Sequence, residues 1–119
     1  MLPVRAWWEE DYERSQRLWS RDLARDGEDA PPAKCGPAVA QAILRAHLAS
    51  GACLMIAPLQ DWLACCPSGK YSTAEALEER INDPTKSKHY WRWRQQCLLE
   101  DLCEDEEFQS TVRGMASRM

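Results

Sequence analysis

Residues 52–58, Ala52-Cys-Leu-Met-Ile-Ala-Pro58, form an unbroken apolar run with no polar alternation. A run of that length predicts a β-strand buried on both faces, as in a parallel strand flanked by helices or closed into a barrel. Such a strand needs neighbours on either side for its N–H and C=O groups. No second convincing strand occurs anywhere in the chain. The expectation is therefore an incomplete domain spanning residues 1–119, a piece of a larger sheet-containing structure.

The remaining sequence reads mostly as helix. Met1 to Arg5 is expected to be a loop or the tail of a strand. From Trp7 to about Arg25, Trp8, Tyr12, Trp19 and Leu23 recur at near-helical spacing. Glu9, Glu10 and Asp11 suit the positive start of that helix. Asp26-Gly27 should end it, with a surface loop from Gly27 to Gly36 around Pro31-Pro32. Pro37 suits the first position of a second helix running to about Ala49. Val39, Ala42, Ile43 and Ala46 form one apolar face there; Ala40, Leu44 and Leu48 widen it, so the helix should lie between other elements. Ser50-Gly51 supplies the stop.

Gln60 to Ala64 reads as a short helix or turn, with Asp61 a possible cap, and residues 67–72 as loop. Thr73 should cap a brief helix over Ala74 to Glu79. Residues 82–88 form another loop, and Tyr90 to Arg94 a helical turn or irregular segment. The tail from about Leu98 to Ala116 is helical in pattern, with Asp105-Glu106-Glu107 read as a solvated acidic face.

Composition removes several function classes. A net charge of −4 and a pI near 5.2 speak against general nucleic-acid binding, which relies on clustered basic residues. No apolar run approaches the length of a membrane span, and Met1-Leu-Pro-Val leads straight into Arg5 without the apolar core of a signal peptide. A cytoplasmic location and no membrane partner follow as expectations. The six cysteines then read as reduced thiols, and no Cys-x-x-Cys pair accompanies His47 or His89 to suggest a metal site.

Six tryptophans beside one phenylalanine favour the wall of a large protein or a ligand cleft over a minimal independent core. Two of them stand in Glu78-Glu-Arg-Ile-Asn-Asp-Pro-Thr-Lys-Ser-Lys-His-Tyr-Trp-Arg-Trp-Arg94, which packs Tyr90, Trp91 and Trp93 among Arg92 and Arg94. Aromatic faces beside fixed donors suit a sugar ring; they equally suit a packed core. Together with Arg5-Ala-Trp-Trp-Glu-Glu-Asp11 and Pro58-Leu-Gln-Asp-Trp-Leu-Ala64, this stretch resembles the C-terminal end of the 4-α-glucanotransferases. These are the amylomaltases and disproportionating enzymes of glycoside hydrolase family seventy-seven, and the likeness is to the cytosolic type of plants and algae.

The resemblance implies an α/β fold: a C-terminal fragment of a (β/α)₈ barrel, mostly helical, with one or a few short strands. Residues 52–58 would be the eighth barrel strand, with Gln60 and Asp61 just past its catalytic end. Asn82, Pro84, Trp91, Trp93 and Arg94 match an Asn-x-Pro turn and a Trp-x-Trp-Arg cluster beside the glucan cleft. Trp91 and Trp93 are equally readable as packing behind that cleft, and Arg94 as a brace for Asp61. The nucleophilic Asp, acid/base Glu and stabilising Asp of the family fall upstream of Met1, so no catalytic residue is assigned. The implied activity is retaining transfer of α-1,4-glucanyl groups among maltose, maltodextrin and other α-glucans, without a cofactor. The missing N-terminal part of the barrel is the other implied partner, and the chain alone is expected to be inactive. A stand-alone glycan-binding or regulatory module is the alternative, and a helical interaction fragment built on Trp7 to Arg25 a third.

Overall fold

Asp11 divides the N-terminal helical stretch in two. In the computed structural model, which describes residues 2–25, 30–72, 80–88, 90 and 93–117, helix α1 spans Leu2–Glu10 and α2 spans Tyr12–Leu18. Asp11 sits between them with extended backbone (φ −142, ψ 98), and its carboxylate accepts the Arg14 N–H at 3.0 Å. A short acidic side chain competes with the helix for backbone donors, so it stops one helix and caps the next. This corrects the expectation of one helix from Trp7. The residues read as loop or strand tail are helical from Leu2 onward, since a proline is tolerated in a first turn. Glu9 and Glu10 end α1 instead of starting a helix.

A π-helical turn, Trp19–Leu23, continues α2. The expected stop at Asp26-Gly27, and with it the start of the following loop, lies outside the described residues, as does the brief helix over residues 74–79. Helix α3 spans Pro37–Leu48, with Pro37 at its start as expected.

Two apolar clusters flank α3. In the first, Trp8 is fully buried and meets Trp19 edge-on with ring centroids 6.1 Å apart, packed with Val39 and Ala42. The Trp8 indole N–H donates to the Pro32 carbonyl at 2.8 Å, so the ring's one polar group is satisfied. Ser15, also buried, donates its hydroxyl to the Trp8 carbonyl at 2.8 Å, filling an acceptor that the end of α1 leaves open. Arg14 stacks over Trp7 at 4.1 Å and donates to the Trp7 carbonyl. The second cluster joins Ala40 and Leu44 to Cys65 and Met115, with Met55, Ala57 and Trp62 against it. Helix α3 thus lies between other elements, as its broad apolar face predicts.

Helix α4 spans Leu59–Leu63, α5 Leu99–Glu104 and α6 Glu106–Ala116, the last two fulfilling the helical reading of the tail. Among the described residues no strand is present and no helix is long and apolar enough to cross a membrane. The strand expected over residues 52–58 is therefore corrected. This segment is irregular, and its residues alternate: Met55 and Ala57 are half-buried on the second cluster, while Leu54 is 75% and Ile56 85% exposed. The physical reason is the lack of a neighbouring strand among the described residues to take up its backbone groups. The radius of gyration, 15.3 Å, exceeds the roughly 13–14 Å of a closed domain of this length, in keeping with an open molecule.

Removing the Trp8 ring from its closed site should lower unfolding free energy by about 3–5 kcal/mol in Trp8→Ala. Ile56→Ala, on the uncovered face, should change it by less than about 0.5 kcal/mol. Urea melts followed by far-ultraviolet circular dichroism compare the two directly.

Candidate functional site

Pro58, extended at φ −58 and ψ 149, turns the chain out of the apolar segment and into α4. Leu63 buries the far end of α4, and Cys65 and Cys66 continue inward behind it. Burial, aided by the charge of Asp61, pushes the Cys65 thiol up to about 12, so it behaves as a small apolar side chain. Gln41 on α3 donates to the Cys65 carbonyl at 2.7 Å and fixes this turn to the core. The chain then doubles back at Gly69, whose φ of +68 is the only positive value among the described residues. Gly69 N–H donates to the Cys66 carbonyl at 2.8 Å and Ser72 N–H to the Gly69 carbonyl at 3.0 Å, so the left-handed residue closes two successive turns.

The resulting loop is clamped to the start of α6. Asp105 caps α6 through the N–H groups of Glu107 (3.1 Å) and Phe108 (3.2 Å). Its other oxygen accepts from the Tyr71 hydroxyl and lies 2.7 Å from Lys70 Nζ. Glu107 accepts from the Ser68 N–H and hydroxyl, both at 2.8 Å, and stands 3.4 Å from Lys70. Tyr71 also meets Phe108 edge-on at 6.1 Å. The acidic run read as a solvated face is therefore a structural clamp, because the loop brings an ammonium and two hydroxyls onto it.

Between this loop, α4 and the segment after Trp93 lies a cleft of about 340 Å³. Gln60 enters it from α4, Lys70 and Tyr71 from the loop, and Trp93, Gln95 and Gln96 from the third side. Two aromatic side chains, amide groups and one ammonium suit a neutral polyhydroxylated ligand. No Asp, Glu or His stands among the described residues lining the cleft, so it offers contact chemistry without a general acid or nucleophile. Among the described residues there is likewise no cluster of three or more His, Cys, Asp or Glu placed to hold a metal ion.

The family model for 4-alpha-glucanotransferases matches residues 1–100. The 4-alpha-glucanotransferase DPE2 of Oryza sativa subsp. japonica is 42% identical over 114 residues, covering 96% of this chain. The chain belongs to the 4-alpha-glucanotransferase family. It spans 12% of the length of that relative. No solved structure matches it.

Of the glucanotransferase residues expected at the site, Gln60 and Trp93 share the cleft. Asp61 lies in the first turn of α4, half-buried, and does not line the cleft; Pro58 occupies the cap position that Asp61 was a candidate for. Asn82, Pro84 and Arg94 are exposed and do not line it. No ion pair joins Arg94 to Asp61 among the described residues. Trp91 lies outside the described residues. Within the Asn82-Asp83-Pro84 turn the organising residue is Asp83, buried and accepting the Thr85 N–H (3.1 Å) and hydroxyl (2.6 Å), with Arg80 at 3.2 Å and Lys86 at 3.4 Å. The Thr85 hydroxyl above all holds the Asp83 carboxyl down to about 2. An Asp followed two residues later by Thr was the available signal for this turn. Lys70, Tyr71, Gln95 and Gln96 carry no such signal, since a loop of small and polar residues gives no hint of which wall it forms.

The Lys70 ammonium, then the Tyr71 hydroxyl, hold the Asp105 carboxyl down to about 2, while the same bond to Asp105 drives the Tyr71 phenol up to about 12. Asp105 in an unfolded chain titrates near 3.9. A carboxyl depressed by folding stabilises the fold fully above the unfolded value, and that contribution disappears as pH falls from about 4 to about 2. Asp105→Asn should therefore show a shallower fall of melting temperature between pH 4 and pH 2 than the unsubstituted chain. Thermal melts at half-unit pH intervals measure this; equal slopes would remove Asp105 from the acid response.

Proposed function

We propose that the chain is the C-terminal part of a 4-α-glucanotransferase barrel and that its cleft forms one wall of the glucan-binding site. The observation that carries this reading is the convergence of Gln60 and Trp93 in one cleft with Tyr71 and two further glutamines. An indole face packs on the C–H side of a glucose ring, and the amides bond the hydroxyl rim. Residues 52–58 are then the barrel strand that leads into this wall, and the exposed Leu54 and Ile56 are the face its neighbours cover.

In the intact cytoplasmic protein the activity is retaining transfer of an α-1,4-glucanyl group from maltose or maltodextrin to a glucan acceptor. That chemistry needs a carboxylate nucleophile and a carboxylic acid roughly 5 Å apart. The cleft residues would hold and orient sugar rings beside such a pair. Asn82, Pro84 and Arg94, exposed on the turn and on the strip after Trp91, would meet glucan or barrel surface outside the cleft itself. A stand-alone glycan-binding module is disfavoured by the uncovered apolar face at Leu54 and Ile56, which a self-sufficient domain would bury.

Titrating maltoheptaose against the 119-residue chain while following tryptophan fluorescence tests the cleft. A saturable change, weakened at least tenfold in Trp93→Ala and unaffected by Trp7→Phe, is the expected result. The same chain should release no glucose from maltose in a coupled glucose assay. Turnover by the isolated chain would contradict the assignment of the reacting carboxylates to another part of the protein.

A further inference from the structure

We propose that Asp105 and Glu107 are positioning residues for the glucan cleft, acting through Lys70 and Tyr71 without reaching the ligand themselves. The inference rests on the reading of the cleft as a glucan wall and adds to it the element that sets its shape. Both acidic residues lie past residue 100, where the family match ends.

The geometry carries the argument. Lys70 and Tyr71 line the cleft, whereas Asp105 and Glu107 do not. The loop bearing the two lining residues makes a tight reversal at Gly69 and takes its outward contacts from α6. Asp105 receives the Tyr71 hydroxyl and Lys70 at 2.7 Å, and Glu107 receives both donors of Ser68 at 2.8 Å. The Asp105 side chain is only 8% exposed, so its contacts to Lys70 and Tyr71 are made with little competition from water. Phe108, in the first turn of α6, supports the Tyr71 ring edge-on. On its other side α6 is seated in the second apolar cluster through Met115, which packs with Ala40 and Leu44 of α3. The helix therefore transmits the position of the core to the cleft wall: Met115 sets where α6 lies, and its first turn sets where Lys70 and Tyr71 point. A sugar seated against Trp93 faces a wall of defined depth only while this clamp is closed.

The test uses the 119-residue chain with Asp105→Asn and Glu107→Gln combined. Asn is as good a helix cap as Asp, so α6 should persist while the charged partners of Lys70 are lost. Hydrogen exchange of the amides in residues 67–72, the Ser68 N–H above all, should accelerate at least tenfold, with α6 amides unchanged. Maltoheptaose should bind about tenfold more weakly by tryptophan fluorescence with the same limiting amplitude. Ser117→Ala, at the far end of α6, should alter neither. Unchanged exchange in residues 67–72, or a loosened loop with undiminished maltoheptaose affinity, would overturn the proposal. Should α6 itself melt in the double variant, Glu107→Gln alone provides the same two comparisons. Failure of the unsubstituted chain to bind maltoheptaose would instead overturn the glucan reading of the cleft, and the exchange pattern would then decide the clamp by itself.

Discussion

Everything in this chain depends on α3 being apolar on two sides. One side, through Val39 and Ala42, receives the paired rings of Trp8 and Trp19. The other, through Ala40 and Leu44, receives Cys65 from the turn after α4 and Met115 from α6. A helix with a single apolar face would support one of these clusters and leave the other in water. Because α3 supports both, the turn bearing Gln60 and the helix bearing Asp105 are seated on the same surface. The cleft between them follows from that shared seat.

Polar groups then refine what apolar burial places. Three polar groups at the core are answered locally, the Trp8 indole by Pro32, Ser15 by the Trp8 carbonyl and the Cys65 carbonyl by Gln41, while the Trp19 indole N–H is buried with no partner among the described residues. At the cleft the same logic operates with charge, where Lys70, Tyr71 and Ser68 meet two carboxylates at a helix start. Charge-assisted contacts of this kind are directional, so they specify the orientation of a loop that small side chains leave loose. The Tyr71 and Trp93 rings and the Gln60, Gln95 and Gln96 side chains line the cleft beside this clamp.

The helical parts were legible where apolar spacing was strong. Pro37 marked the start of α3, Val39 to Leu48 its double face, and Leu98 to Ala116 the paired helices of the tail. Asp11 was misread because a single acidic residue inside an acidic run carries the same signal as a favourable first turn; only its extended backbone shows it to be a cap. Residues 52–58 are apolar as the sequence shows, yet the expected strand buried on both faces is irregular backbone with Leu54 and Ile56 exposed, since pairing and burial of a strand are properties of its neighbours and not of its own residues. Gln60 and Trp93, which the family resemblance singles out, line the cleft. Tyr71, Lys70 and the clamp residues were not legible, because contacts between a loop at residue 70 and a helix at residue 105 leave no periodic trace in a single sequence.

The central proposal is that in the intact protein residues 52–58 become one strand of a barrel whose other members cover Leu54 and Ile56, with the cleft at its end facing glucan. A crystal structure of the intact protein with a bound maltooligosaccharide tests it most directly. The account predicts residues 52–58 hydrogen-bonded to parallel neighbours on both edges, with a glucose ring within about 4 Å of Trp93. Finding Leu54 and Ile56 still exposed, or the oligosaccharide bound away from Gln60, Tyr71 and Trp93, would contradict it.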